Sequence, residues 1–258
     1  MSSSSTIVVY DVPGNCTVDR VWSPNTIKIR YILNHKKLPY RVEWVEFPDI
    51  AAVAQKLGAP PTGKGRRGPT YSIPFIYDPA TSKYVSNTID IARHLDAAYP
   101  NTPPVFPAGS EALIAAFDDL WHEKGVPPMF PLMVSFVHNQ LNPASQPYFR
   151  KTREAFMKKP LEELCTPDTE PRLLADFEKA LGRFDAYMGE HYPFVMGTTL
   201  TYVDASIAGW LTWMKRVRGP QSQAWKAVES WQRGRWKRFM DAFAPLEHFP
   251  EGGITAKL

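Results

Sequence analysis

Residues Val21–Tyr40 read VWSPNTIKIRYILNHKKLPY, and Ser23 is the side chain in that stretch with the means to act on a reacting group. It stands directly before Pro24, a residue favoured in the first helical turn because its missing N–H would be unpaired there anyway. A serine in this place is a natural helix cap. It also presents a hydroxyl at the positive end of the helix dipole, where a donated hydrogen bond stabilises an anion. The two roles are compatible, and the second needs no base, metal or redox group. Asn25 either orients Ser23 or its ligand, or faces solvent in the first turn.

Three further stretches could hold a ligand. In Ser72-Ile73-Pro74-Phe75 a proline directly precedes an apolar strand. A cis bond at Pro74 would leave the N–H and C=O of Ile73 facing outward, able to hold an extended peptide as an added strand would. The segment SNTIDIARHLDAAYP starts a helix at Asn87 or Thr88, both good caps, and free N–H groups there can receive a carboxylate. The loop GAPPTGKGRRGPTYSIP offers Lys64, Arg66 and Arg67 to a ligand carboxylate, with Lys64 the selected candidate. Within it, Gly63 to Gly68 spells G-x-G-x-x-G, but between Pro60-Pro61 and Pro69 rather than between a strand and a helix. That context argues against a dinucleotide site.

The elements that must position these residues follow from periodicity. Thr6–Tyr10 is a β-branched run and reads as a buried strand. A helix from Pro24 carries Ile29, Ile32 and Leu33 on one face and stops at Leu38-Pro39. Tyr40–Phe47 alternates as a strand, and Asp49 is expected to cap a short helix, IAAVAQKL. Strands at Phe75–Tyr77 and Lys83–Val85 flank a turn at Asp78-Pro79, and a helix closes the segment at Pro100. The order β-α-β-α-β-β-α, a crossover unit followed by a hairpin and a helix, predicts a thioredoxin-like domain over residues 1–100.

Residues 101–109, NTPPVFPAG, read as a linker. From 110 to 258 no strand pattern is evident. Helices are expected at Ser110–Lys124, then to about Gln140 after GVPPMFP, and at Phe149–Lys159, Glu170–Glu190, Thr201–Arg216 and Ser230–Ala244. This half is an all-helical bundle. The irregular apolar run PPMFPLMVSF would bring Met129, Phe130, Leu132, Met133 and Phe136 towards Ser23, with Trp22, as a pocket between the domains. Trp210 and Trp213 are assigned to the core.

Composition narrows the function. The 258 residues carry 30 basic and 26 acidic side chains, a net +4 spread along the chain, which does not argue for nucleic acid. The basic run RGRWKR, Arg233–Arg238, reads as a solvated helix face with Trp236 turned inward. Two cysteines, Cys16 and Cys165, exclude a disulfide framework and suit a reducing compartment. No C-x-x-C supports thiol redox chemistry at Cys16. The six histidines lack metal-ligand spacing, and no metal is expected. MSSSSTIVVY has no signal-peptide pattern, and no apolar run approaches the length of a membrane span, so a cytoplasmic protein is expected.

Taken together, Ser23-Pro24, Ile73-Pro74, TIDIARHLDAAYP and TTLTYVDASIAGWL resemble the cytosolic glutathione transferases over nearly the whole chain. In the last piece Thr201 and Asp204 stand at the family's capping-box spacing. The stretch WSPNTIKIRYILNHKKLPY is most similar to the fungal serine-type class related to bacterial β-etherases. The resemblance implies glutathione as co-substrate, Ser23 as the residue that activates its thiol, and a homodimer. It also implies that Ile73 and Pro74 hold the cysteinyl backbone, that Lys64 approaches the glycine carboxylate, and that Asn87 and Thr88 meet the γ-glutamyl end. Asn87 departs from the family's acid and removes a negative charge opposite the ligand's ammonium. Transfer to hydrophobic aromatic electrophiles, with β-aryl ethers as a narrower class, is the function so implied. Carriage of aromatic ligands in the same cleft is the alternative.

Overall fold

The computed structural model describes residues 6–15, 19–65, 68–250 and 253–255; Cys16, Arg66 and Arg67 lie outside them. β1 (Ile7–Asp11) is followed by α1 (Pro24–His35) and by β2 (Tyr40–Trp44), which pairs parallel to β1 with Ile7 opposite Tyr40. A 3₁₀ turn at Phe47–Asp49 leads into α2 (Ile50–Leu57), and a two-stranded hairpin of β3 (Gly63–Gly65) and β4 (Gly68–Thr70) follows. β5 (Phe75–Asp78) runs antiparallel to β1, and β6 (Lys83–Ser86) antiparallel to β5. α3 (Thr88–Ala98) completes the thioredoxin-like domain.

Three local expectations change. Asp49 does not cap α2: the 3₁₀ turn holds it in helical conformation, and its side chain makes no cap hydrogen bond. The basic loop contains the β3–β4 hairpin. The third change is in the sheet, whose order is β6-β5-β1-β2-β7, because β7 (Gly253–Thr255) returns from the end of the helical half and pairs parallel to β2. A strand of three residues covers an edge that would otherwise expose unpaired backbone groups. It is too short to leave a period-two signal.

The second half comprises α4 (Glu111–Leu120), a π-helical turn at Trp121–Gly125, α5 (Val126–Met129), a 3₁₀ turn, α6 (Val134–His138), α7 (Gln146–Met157), α8 (Glu170–Tyr187), α9 (Tyr202–Arg218) and α10 (Gln223–Phe243). α10 is broken at Trp231–Gly234, where four residues leave helical geometry. Just beyond the break the basic run departs from expectation. Trp236 is buried as predicted, but so is Arg235, which donates to Asp185 and to the carbonyls of Gly189, Glu190 and Tyr192.

The two halves share one continuous core. Its seam is α1 against α9, and Gly209 sets the spacing. A Cβ at Gly209 would lie 2.6 Å from the Pro24 carbonyl oxygen and 3.1 Å from the Lys28 nitrogen. Glycine is therefore what lets the helix bearing Ser23 approach α9 so closely. The start of α9 is fixed by its capping box: Thr201 N–H donates to Asp204 Oδ2 at 2.9 Å, and the Thr201 side chain accepts from the third-residue backbone in return. The other Asp204 oxygen accepts from Val195 N–H at 2.8 Å. The segment joining the halves is pinned as well. Asp96 on α3 accepts from the Val105 and Phe106 N–H groups and pairs with buried Lys36 of the α1 C-terminus, while the Val105 carbonyl accepts from Tyr202 N–H at 2.9 Å.

Candidate active site

Ser23 precedes α1 with extended backbone (φ −66°, ψ 122°), and its carbonyl accepts the first helical hydrogen bond, from Ile27 N–H at 2.9 Å. It occupies the cap position, but its side chain does not cap. Among the described residues the Ser23 hydroxyl has no hydrogen-bond partner, and it borders a cavity of about 420 Å³ between the two domains. Only 7% of the residue is exposed, so this donor is sheltered yet unspent. No acidic residue lies in the first turn of α1 to offset its partial positive charge.

The cavity brings together Trp22, Ser23, Asn25 and Ile73 from the first domain and Phe130 from the second. The Ile73–Pro74 peptide bond is cis. Neither the N–H nor the C=O of Ile73 joins a backbone hydrogen bond among the described residues. Tyr71 and Ser72 extend this wall.

Other predicted residues stand elsewhere. Lys64 projects from the exposed β3 strand and does not line the cavity. Met129, Leu132 and Met133 are fully buried in the core, because the run of short helical turns around them rotates their side chains inward. Phe136 is covered by the Arg218 guanidinium, 4.0 Å from its ring centre, away from the cavity. Conversely, Trp210 and Trp213, assigned to the core, are largely buried and also form the cavity wall, with ring centres 5.2 Å apart in edge-to-face contact. Phe47, Tyr148, Phe149 and Arg153 complete that wall. The adjacent aromatics Tyr148-Phe149 at the start of α7 were a visible signal; nothing in the local sequence around Phe47 marked it.

Asn87 and Thr88, at the start of α3, lie outside the cavity lining. Asn87 has a left-handed φ of 71°, a conformation that asparagine tolerates better than most residues. Its side chain makes no cap; its amide donates to Asp90 Oδ2 at 3.1 Å. Thr88 turns its hydroxyl inward, 2.9 Å from the Tyr202 hydroxyl, and Lys28 Nζ lies 3.3 Å from the same tyrosine oxygen and 3.5 Å from Thr88 Oγ1. Burial depresses the Lys28 pKa, an effect that the Asp118 carboxylate opposes, and burial raises that of Tyr202. This polar thread ties α1, α3 and α9 together behind the site. Among the described residues, no group of three or more His, Cys, Asp or Glu side chains could hold a metal ion, and no helix is long and apolar enough to cross a membrane.

A thioredoxin-like domain with a cis-proline turn, fused to a helical domain, and an unspent hydroxyl at the start of the first helix define a protein of the glutathione transferase class. The chain belongs to the glutathione S-transferase family: residues 22–98 match the family model of its N-terminal domain and residues 112–246 that of its C-terminal domain. It is 40% identical to a glutathione S-transferase of Ceriporiopsis subvermispora solved in complex with glutathione, with 96% of this chain and 100% of that one covered and a TM-score of 0.92. It is 43% identical to the glutathione transferase GSTFuA2 of Phanerochaete chrysosporium, over 94% and 98% of the two chains, at a TM-score of 0.89. A curated relative, the glutathione S-transferase-like protein ustS of Aspergillus flavus, is 29% identical and covers 86% of this chain and 83% of its own.

Proposed function

We propose that the protein transfers glutathione to hydrophobic aromatic electrophiles, with Ser23 stabilising the attacking thiolate. The observation that carries this reading is the Ser23 hydroxyl, unpartnered at the start of α1 and bordering the interdomain cavity. The thiol is a poor nucleophile at neutral pH, so catalysis begins by favouring the anion. A serine hydrogen bond to sulfur is worth roughly 1.5–3 kcal/mol, and about 1.36 kcal/mol corresponds to one pKa unit. The α1 dipole acts in the same sense. The thiol proton leaves to solvent. The thiolate then forms a C–S bond to the electrophilic carbon, and either the leaving group departs with its electron pair or, at an activated double bond, the resulting carbanion takes a proton from water.

The cavity, Ile73 and the α3 N-terminus offer glutathione a sulfur site, a backbone ladder and a place for its γ-glutamyl end. Asp90, bonded to Asn87, supplies a carboxylate near the position where the family's acid is missing. Lys64 is assigned to the glycine carboxylate only if the β3–β4 hairpin folds over the ligand. Cleavage of β-aryl ethers is the narrower activity implied by the resemblance of the Trp22–Tyr40 stretch to the class related to bacterial β-etherases, with detoxification or aromatic catabolism in the cytosol as the role and a homodimer as the assembly.

Purified protein, glutathione and a chromogenic aryl halide test the reading. Turnover that falls at least tenfold in Ser23→Ala is expected, together with a rise of about one unit or more in the pKa of the bound thiol, read from thiolate absorbance. Absence of turnover with tight binding of aromatic compounds would favour the second reading, a carrier. The observation favouring that reading is the Asn87 side chain, a neutral amide where an acid would be expected.

A further inference from the structure

The helical wall of the cavity contains one charged side chain, and its environment is unusual for a cation. Of the residues described as lining the cavity, none is Asp, Glu, Lys or His, and Arg153 alone carries charge. Its guanidinium lies 4.7 Å from the Phe149 ring centre and 5.7 Å from that of Phe47. Among the described residues its one hydrogen bond is donated from Nη1 to the neighbouring Thr152 hydroxyl at 3.1 Å. No carboxylate lies within ion-pair distance among the described residues. Glu154, next in sequence, is committed to Arg150 and the Leu161 N–H, and Glu46, next to Phe47, to Asn142 and Ser145. Burial also lowers the Arg153 pKa, though an arginine remains charged at any physiological pH.

A sheltered cation without a counter-charge is costly unless something supplies one. The rest of the wall is equally one-sided. The indole N–H groups of Trp22, Trp210 and Trp213 are closed to solvent and have no hydrogen-bond partner among the described residues, so these three residues give the cavity their ring carbons. The cavity therefore combines flat aromatic faces with a single fork suited to bidentate contact with a carboxylate. Arg153, Tyr148 and Phe149 come from α7, with Phe47 of the first domain packed against the two rings, whereas the residues assigned to glutathione, Ser23 and Ile73, come from the start of α1 and the cis-proline turn.

We propose that Arg153 selects the acceptor, so that the substrates preferred by this protein are aromatic electrophiles carrying a carboxylate. The inference rests on the transferase reading for its catalytic half, but the recognition itself does not require turnover. Arg153 acts on the second substrate as a specificity residue, holding the acid at the mouth while the ring lies against Trp210 and Trp213.

Two measurements test it separately. In the first, glutathione addition to the enone of ethacrynic acid is compared with addition to its methyl ester, the two differing by the carboxylate charge. The expected kcat/KM ratio of acid to ester is about tenfold or more, the size of one charge-assisted contact. It should collapse towards one in Arg153→Met and recover in part in Arg153→Lys, which keeps the charge and loses the fork. In the second, no reaction occurs: tryptophan fluorescence reports binding of naphthalene-2-carboxylate against naphthalene-2-carboxamide, with the acid expected to bind about tenfold more tightly. Discrimination in binding without any turnover would remove the transferase reading and leave this one standing. A wild-type ratio near one in both measurements overturns the proposal. So does an Arg153→Met protein whose KM for glutathione rises while its acid-to-ester ratio is unchanged, since the arginine would then serve the glutathione carboxylates. Should Arg153→Met fail to fold, the wild-type ratios and Arg153→Lys decide the question.

Discussion

The two walls of the interdomain cavity are built on different plans. On the thioredoxin-like side the groups proposed to meet glutathione sit where elements begin or end: Ser23 one residue before α1 and Ile73 before a cis proline and β5, both bordering the cavity, and Asn87 before α3, outside its lining. Helix starts and strand starts leave polar groups unspent by geometry, here the Ser23 hydroxyl and the Ile73 peptide. On the helical side the wall is made of side chains from within helices, Trp210 and Trp213 of α9, Tyr148, Phe149 and Arg153 of α7, and Phe130 from a short turn. One wall can therefore stay fixed for a constant ligand while the other varies for a changing one, because side chains are replaced more readily than helix ends are moved.

The most damaging substitution should be the one that separates the walls. Gly209→Val places branched carbon where even a Cβ meets the Pro24 carbonyl at 2.6 Å, so α1 must shift and carry Ser23 with it. A loss of about 3 kcal/mol or more in urea denaturation, with activity falling in parallel, is expected; a stable, fully active variant would show that the seam does not position the site. Next in size, Ser23→Ala should lower kcat/KM at least tenfold, about 1.4 kcal/mol, while leaving thermal stability nearly unchanged, because the hydroxyl caps nothing. A large loss of stability would instead return Ser23 to a structural role.

Asp204→Ala removes the carboxylate that accepts from the Val195 and Thr201 N–H groups and from the Thr201 hydroxyl at the start of α9, and should cost about 1–2 kcal/mol of stability, tilting the helical wall more than the other. The same residue gives a pH signature. Burial pushes the Asp204 pKa up to about 6, above its ordinary 3.8, so the folded state binds this proton more tightly than the unfolded state. Its contribution to stability is therefore fully present below about 4 and is lost as the pH rises through about 6. Denaturation midpoints of the wild type and Asp204→Asn should draw together or cross over that interval, the wild type losing ground as the pH rises; parallel curves would contradict it. The smallest effect is expected at the start of α3. Asn87→Glu restores a negative charge at an exposed position and should lower the KM for glutathione only a few-fold, the worth of a weak surface pair of about 0.2–1 kcal/mol, with no change in acid-to-ester selectivity.

The difference between the walls also explains what was legible beforehand. Ser23-Pro24, Ile73-Pro74 and Asn87-Thr88 are local signals: a first-turn proline, a proline before an apolar strand and a capping residue before a periodic run act within a few residues of themselves. Hydrophobicity alone points Met129, Leu132 and Met133 towards the cavity, yet a run of four short helical segments turns them into the core. Trp210 and Trp213 were given to the core for the same reason, and they border the cavity as well. Hydrophobicity marks a buried residue without saying whether it faces another side chain or a space.

The sequence by itself determined the order of elements, the division into a mixed domain and a helical one, and the serine at the start of α1, because each depends on backbone preferences over a few residues. Tertiary structure decided the rest. It returned Gly253–Thr255 to the edge of the sheet, spent the Thr88 hydroxyl on Tyr202, left that of Ser23 unspent, and set Arg153 beside Phe47, a residue more than a hundred positions away. Those outcomes depend on distances between parts of the chain that no local pattern encodes: they are fixed only when Gly209 lets α1 meet α9 and the two walls close on a common space.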